Sequence, residues 1–133
     1  MKKTICILIL LTMCLTGCSE KKSAGNDRQN VDFTVVTKSE IPSEIMTLID
    51  EKKSESFQIS SVIEGYTYLA VGYGVMPTGG YSIKVDELYM EEDKVVIKTS
   101  LMEPSGQETV NRLQTYPYIV VKIQYTDKNI IFK

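Results

Sequence analysis

The chain has 133 residues, with 15 Lys and Arg against 17 Asp and Glu, and a formal charge of −2 at pH 7. It contains no histidine, which excludes Ser-His-Asp and Cys-His nucleophile systems and imidazole metal ligation. A slightly acidic chain without a basic block is also poorly suited to nucleic acid, since phosphate neutralisation supplies most of that affinity.

Residues 1–17 read as a removable secretory signal. Lys2 and Lys3 give a basic start, and Ile5 to Leu15 form an apolar run broken only by Thr12. That run is well short of the ~20 residues a membrane-spanning helix needs, and small residues follow at Thr16 and Gly17. All three cysteines, Cys6, Cys14 and Cys18, lie in this region. Removal of the signal leaves Cys18 alone, so no intrachain disulfide is expected. The remainder is the size of one small domain.

The signal ends in Leu15-Thr16-Gly17-Cys18, which resembles the lipobox of bacterial lipoproteins. The resemblance implies cleavage before Cys18 and thioether linkage of its sulfur to diacylglycerol. It also implies a lipid-anchored protein on the extracytoplasmic face of the cell membrane. Each buried CH₂ contributes about 0.8 kcal/mol, so two or more acyl chains hold without help from a protein partner. Residues 18–30 then form a flexible tether. From Ser19 to Asn30 no apolar residue is larger than Ala24, too little surface to offset the entropy of ordering.

The folded domain is expected over 31–133. Val31 to Thr37 is rich in β-formers. Ile41, Ile45, Leu48 and Ile49 recur at helical spacing on one face, with Pro42 in the first turn and Lys52 and Lys53 in the last. Ser54 to Gly65 is ambiguous, with a short strand around Gln58–Val62 and Gly65 ending it. Tyr66 to Val75 is apolar on both alternating faces, as a central strand covered on both sides should be. Gly72 and Gly74 would weaken its far end or form a bulge.

Tyr81 to Tyr89 alternates Tyr81, Ile83 and Val85 with Ser82, Lys84 and Asp86, the pattern of a half-buried strand. Glu91 to Asp93 reads as a turn, after which Val95, Ile97, Thr99 and Leu101 share a face. Tyr118 to Tyr125 places Ile119, Val121, Ile123 and Tyr125 together, and Asn129 to Phe132 closes the chain. The fold class expected is mainly β (α+β): an antiparallel β-sandwich or partly closed barrel with one short packed helix.

Two loops stand out. In Met76-Pro77-Thr78-Gly79-Gly80-Tyr81 the proline fixes φ and the glycines permit positive φ, which together specify one backbone path. The second runs from Glu103-Pro104-Ser105-Gly106 through a polar crossing segment to Tyr116-Pro117-Tyr118. Its tyrosines are either core residues entering a strand or an exposed contact surface. The glycines lack the Lys-Ser/Thr and helix start of a phosphate cradle, and the acids at Asp86, Glu87 and Glu91–Asp93 lack calcium-loop spacing.

The stretch from Tyr68 to Ile123 resembles the C-terminal domain of the PrcB family of bacterial protease complex subunits. The likeness lies in Gly74, Pro77-Thr78-Gly79-Gly80-Tyr81-Ser82, Pro104, and Tyr116-Pro117-Tyr118 leading into Val120-Val121-Lys122. It implies a non-enzymatic accessory lipoprotein, without metal or cofactor, that assembles or stabilises an envelope partner, in the namesake system a surface protease. The candidate interaction residues are Pro77, Thr78, Gly79, Gly80, Tyr81, Tyr116, Pro117 and Tyr118. The 76–81 loop is also similar to the Asn-Pro-Thr-Thr-Gly loop of chagasin-like protease inhibitors, although Met76 and Gly79 depart from that pattern.

Overall fold

The computed structural model describes residues 27–106 and 109–133. The signal, Cys18 and the tether as far as Asn26 lie outside the described residues. Eight strands and one α-helix follow in order: β1 (Arg28–Asn30), β2 (Thr34–Val35), α1 (Ser43–Lys52), β3 (Ser56–Ile63), β4 (Tyr66–Tyr73), β5 (Ser82–Glu91), β6 (Lys94–Met102), β7 (Tyr118–Gln124) and β8 (Asn129–Phe132). They form two four-stranded sheets, ordered β1-β5-β6-β8 and β2-β7-β4-β3. The sheets stay open, so the sandwich alternative holds and the barrel does not. Pairing is antiparallel throughout except between β6 and β8, which run parallel.

Two cores result, one on each face of the β2-β7-β4-β3 sheet. On one face Ile45 and Ile49, one helical turn apart and fully buried, pack with Phe57, Ile59, Ala70 and Val120. On the other, Leu69, Val121 and Ile123 meet Leu88, Val95 and Ile97 of the second sheet. Each such side chain contributes about 1.5–3 kcal/mol when fully buried. β4 is thus covered on both sides, as its doubly apolar sequence predicts. Gly72 stays within the β3–β4 ladder opposite Phe57 and forms no bulge; glycine is needed there because a Cβ would overlap the Phe57 ring. Gly74, at φ 79°, lies beyond the end of β4.

The ambiguous 54–65 segment is a full-length strand. Ile63 pairs with Tyr66 across Glu64 and Gly65, both at positive φ (49° and 79°), which makes a two-residue hairpin loop. β5 contains a bulge between Val85 and Glu87. The extra residue changes the alternation, so that Val85 and then Leu88 and Met90 all reach the inter-sheet core.

The tether boundary moves. Arg28–Asn30, assigned to the tether by composition, pairs with Tyr89–Glu91 of β5. Arg28 adds side-chain contacts to this pairing: its Nε lies 3.3 Å from Glu91 Oε1 and its guanidinium 4.5 Å from the Tyr89 ring centre. The strand expected over Val31–Thr37 contracts to Thr34–Val35, because here the chain crosses between sheets. Val31 N–H still donates to Leu88 O in one sheet, and Val36 N–H to Val120 O in the other.

Candidate functional site: the joined 75–81 and 104–118 loops

The two distinctive loops are remote in sequence and joined in space. Met76 and Thr115 exchange backbone hydrogen bonds, N–H to O, at 2.8 and 3.0 Å. Thr115 Oγ1 donates to Thr78 O at 2.7 Å, and Gly79 N–H donates to Asn111 O at 2.7 Å. Asn111 Oδ1 in turn accepts from Leu113 N–H at 3.2 Å, which holds the opposing turn in shape. Gly80 takes φ 86°, and a Cβ there would come within 2.7 Å of Pro104 and 3.1 Å of Val110. Gly80 therefore serves close approach between the loops, whereas a Cβ at Gly79 would make only ordinary contact with Asn111 at 3.7 Å.

Strands position this assembly from below. β4 leads directly into the first loop and β7 leaves the second, and Tyr73 N–H donates to Pro117 O at 3.2 Å where they meet. α1 reaches the same end of the domain. Lys53 Nζ, just past the helix, sits 5.6 Å from the Tyr116 ring centre, and Tyr118 Oη donates to Met46 Sδ at 4.0 Å. Partial burial, and secondarily the Asp50 carboxylate, push the Tyr118 phenol above its ordinary value, while Lys53 opposes the shift.

The eight predicted interaction residues divide by exposure. Pro77, Gly80 and Tyr116 are exposed, and Thr78, Gly79 and Tyr81 are half-buried. Tyr116 takes the surface role, whereas Tyr118 packs with the helix–sheet core and Pro117 is half-buried. Two exposed apolar residues not singled out by sequence lie in the same joined loops: Val75, 40% exposed, next to Met76, and Leu113, 67% exposed, two residues before Thr115. Neither lies in a distinctive motif, and the bridge joins only the loops that carry them. Lys53 is expected in the last helical turn, but its sequence distance from Tyr116 conceals their proximity, and Asp50 was unremarked.

The acids of β5 lie elsewhere, each beside a cation: Asp86 with Lys84 at 3.8 Å, Glu87 with Lys98 at 3.9 Å and Glu91 with Arg28. No group of three or more Cys, Asp or Glu with metal-binding geometry occurs among the described residues.

This arrangement coincides with a family pattern. Residues 67–124 match the family model described as PrcB C-terminal. The matched segment begins at the second residue of β4 and ends with β7. It includes β5 and β6 and both halves of the joined loop surface, and excludes α1 and the remaining strands. Comparison with curated proteins and with solved structures yields no match.

Proposed function

We propose that this protein is a non-enzymatic accessory lipoprotein that binds an envelope protein through the joined loops of its PrcB C-terminal segment. The observation that carries the proposal is the loop assembly. Five hydrogen bonds hold it together, and it presents Val75, Leu113 and Tyr116 to solvent. Apolar side chains displayed on a fixed backbone lose little entropy on binding. Tyr116 is a suitable anchor, being large, stiff and flanked by a cation.

The lipobox resemblance at Cys18 supports attachment to the outer face of the cell membrane, with the following segment as spacer. A cell-surface protease is the partner class to which the family resemblance points. A chagasin-like inhibitory role has weaker support, because Gly79 and Gly80 pack against the neighbouring loop and do not form a free wedge.

Crosslinking of intact cells followed by purification of the full chain tests the proposal. The expected result is a stoichiometric envelope protein, recovered with a chain whose N-terminal residue is diacylated Cys18. Recovery of the chain alone would count against the binding role. An unacylated N-terminus still carrying Met1 would count against the anchor.

A further inference from the structure

We propose a second docking site, separate from the loop surface: the outer edge of β3, which accepts an extended polypeptide segment of a partner as an added strand. Of the four sheet edges, β1, β2 and β8 are short, at 3, 2 and 4 residues, whereas β3 has 8. Its sequence, SFQISSVI, contains no charge and no proline. Long, flat, uncharged edges are the kind that proteins otherwise blunt, because they template pairing.

Among the described residues, the ladder shows which groups are unpaired. Tyr73 N–H bonds toward β7, so in the alternating pattern of β4 the neighbouring Gly72, Ala70, Tyr68 and Tyr66 bond toward β3. Their partners are Phe57, Ile59, Ser61 and Ile63. The intervening Ser56, Gln58, Ser60 and Val62 therefore direct N–H and C=O outward. All four are exposed, Val62 at 52%.

Clefts lie on both sides of this edge. One, of about 460 Å³, is lined by Gln58, Thr99 and Lys133 on the inter-sheet side. The other, also about 460 Å³, is lined by Glu51, Lys52 and Glu55 on the helix side. An added strand alternates its side chains between two faces, and these clefts receive them. Among the described residues, Glu51 and Glu55 outnumber Lys52 in the helix-side cleft, Lys53 being paired with Asp50, and Glu64 stands at the hairpin end of β3, while Lys133 lies in the inter-sheet cleft; this balance favours a segment with an uncharged centre and basic flanks. The same acids disfavour a second copy of this chain, since antiparallel self-pairing of β3 brings Glu55 of one copy close to Glu64 of the other at both ends.

The test is nuclear magnetic resonance titration of the full chain with the peptide Lys-Thr-Val-Thr-Val-Thr-Lys. The amides of Gln58, Ser60 and Val62 are expected to shift and to gain at least tenfold protection from exchange. Ser60→Pro, which removes an outward N–H without touching the β3–β4 ladder, should weaken binding at least tenfold. On the unaltered chain, alternate N-methylation of the peptide should do the same, and replacing its lysines with glutamates should weaken binding several-fold. Absence of amide shifts at millimolar peptide, or binding indifferent to N-methylation, would overturn the site. Concentration-dependent protection of these amides without peptide would overturn its occupant in favour of a second copy. None of these outcomes involves the loop surface, so the two docking proposals fail separately.

Discussion

The hydroxyl of Thr115 donates to the carbonyl oxygen of Thr78 at 2.7 Å, joining residues 37 positions apart in the sequence. This bond adds a side-chain contact to the reciprocal backbone pair at Met76 and fixes the first loop where Pro77 and Gly79 turn it. Thr115→Val keeps the shape and removes the donor, leaving a partly buried carbonyl unpaired. The expected loss is about 1 kcal/mol of stability, read by urea unfolding, with faster exchange at the Gly79 amide. Thr115→Ser should restore most of both.

Gly72→Ala tests the close approach of Phe57 to β4. The new methyl group meets the ring, and overpacking of this kind costs about 1–3 kcal/mol. Phe57→Leu in the same chain removes the aromatic obstacle. A double-mutant cycle should therefore give a coupling energy of opposite sign to the single losses. Simple additivity would mean that the ring moves aside at no cost.

Gly65 and Gly80 both adopt positive φ, yet only one is crowded. A Cβ at Gly65 meets nothing within 4 Å, while at Gly80 it meets Pro104 at 2.7 Å. Gly65→Ala should cost only the backbone term, about 1–2 kcal/mol. Gly80→Ala should cost more and should also disturb the signals of Pro104 and Val110. Thermal unfolding of the two variants side by side checks the order.

Tyr118 predicts an alkaline limit. Burial and the Asp50 carboxylate make the folded chain hold the phenolic proton more tightly than the unfolded chain does. This contribution to stability is complete below the ordinary tyrosine value of about 10. It is lost as pH rises above that value and through the raised folded one. Tyr118→Phe should flatten this part of the stability profile, and Asp50→Asn should bring the ultraviolet titration of Tyr118 downward.

Much of the architecture was legible in apolar periodicity, even in β7, where Val120 is buried on the face opposite Val121 and Ile123. Val95, Ile97, Thr99 and Leu101 in β6 and Ile119, Val121 and Ile123 in β7 declare their inward faces by alternation alone. Ile45 and Ile49 do so by helical spacing. β5 was only half legible, because the bulge after Val85 puts Leu88 and Met90 out of phase with Ile83. β1 was illegible: Arg-Gln-Asn has no apolar residue, and its strand character comes from a partner, Tyr89–Glu91, some sixty residues away. The same limit applies to the candidate site. Each loop was visible as a constrained backbone path, but their junction depends on Asn111 and Thr115, polar residues in a segment without periodicity. Val75 and Leu113 gain meaning only once that junction exists.

The binding role of the loop surface is tested most directly by site-specific photocrosslinking in living cells. A photoreactive residue is placed at Tyr116, at Leu113, and, as a control, at exposed Asp93 in the turn at the far end of β5. The loop positions are predicted to trap one discrete envelope protein that Asp93 does not trap. Equal labelling from all three positions, or no adduct from the loops in a correctly anchored chain, would contradict the proposed role.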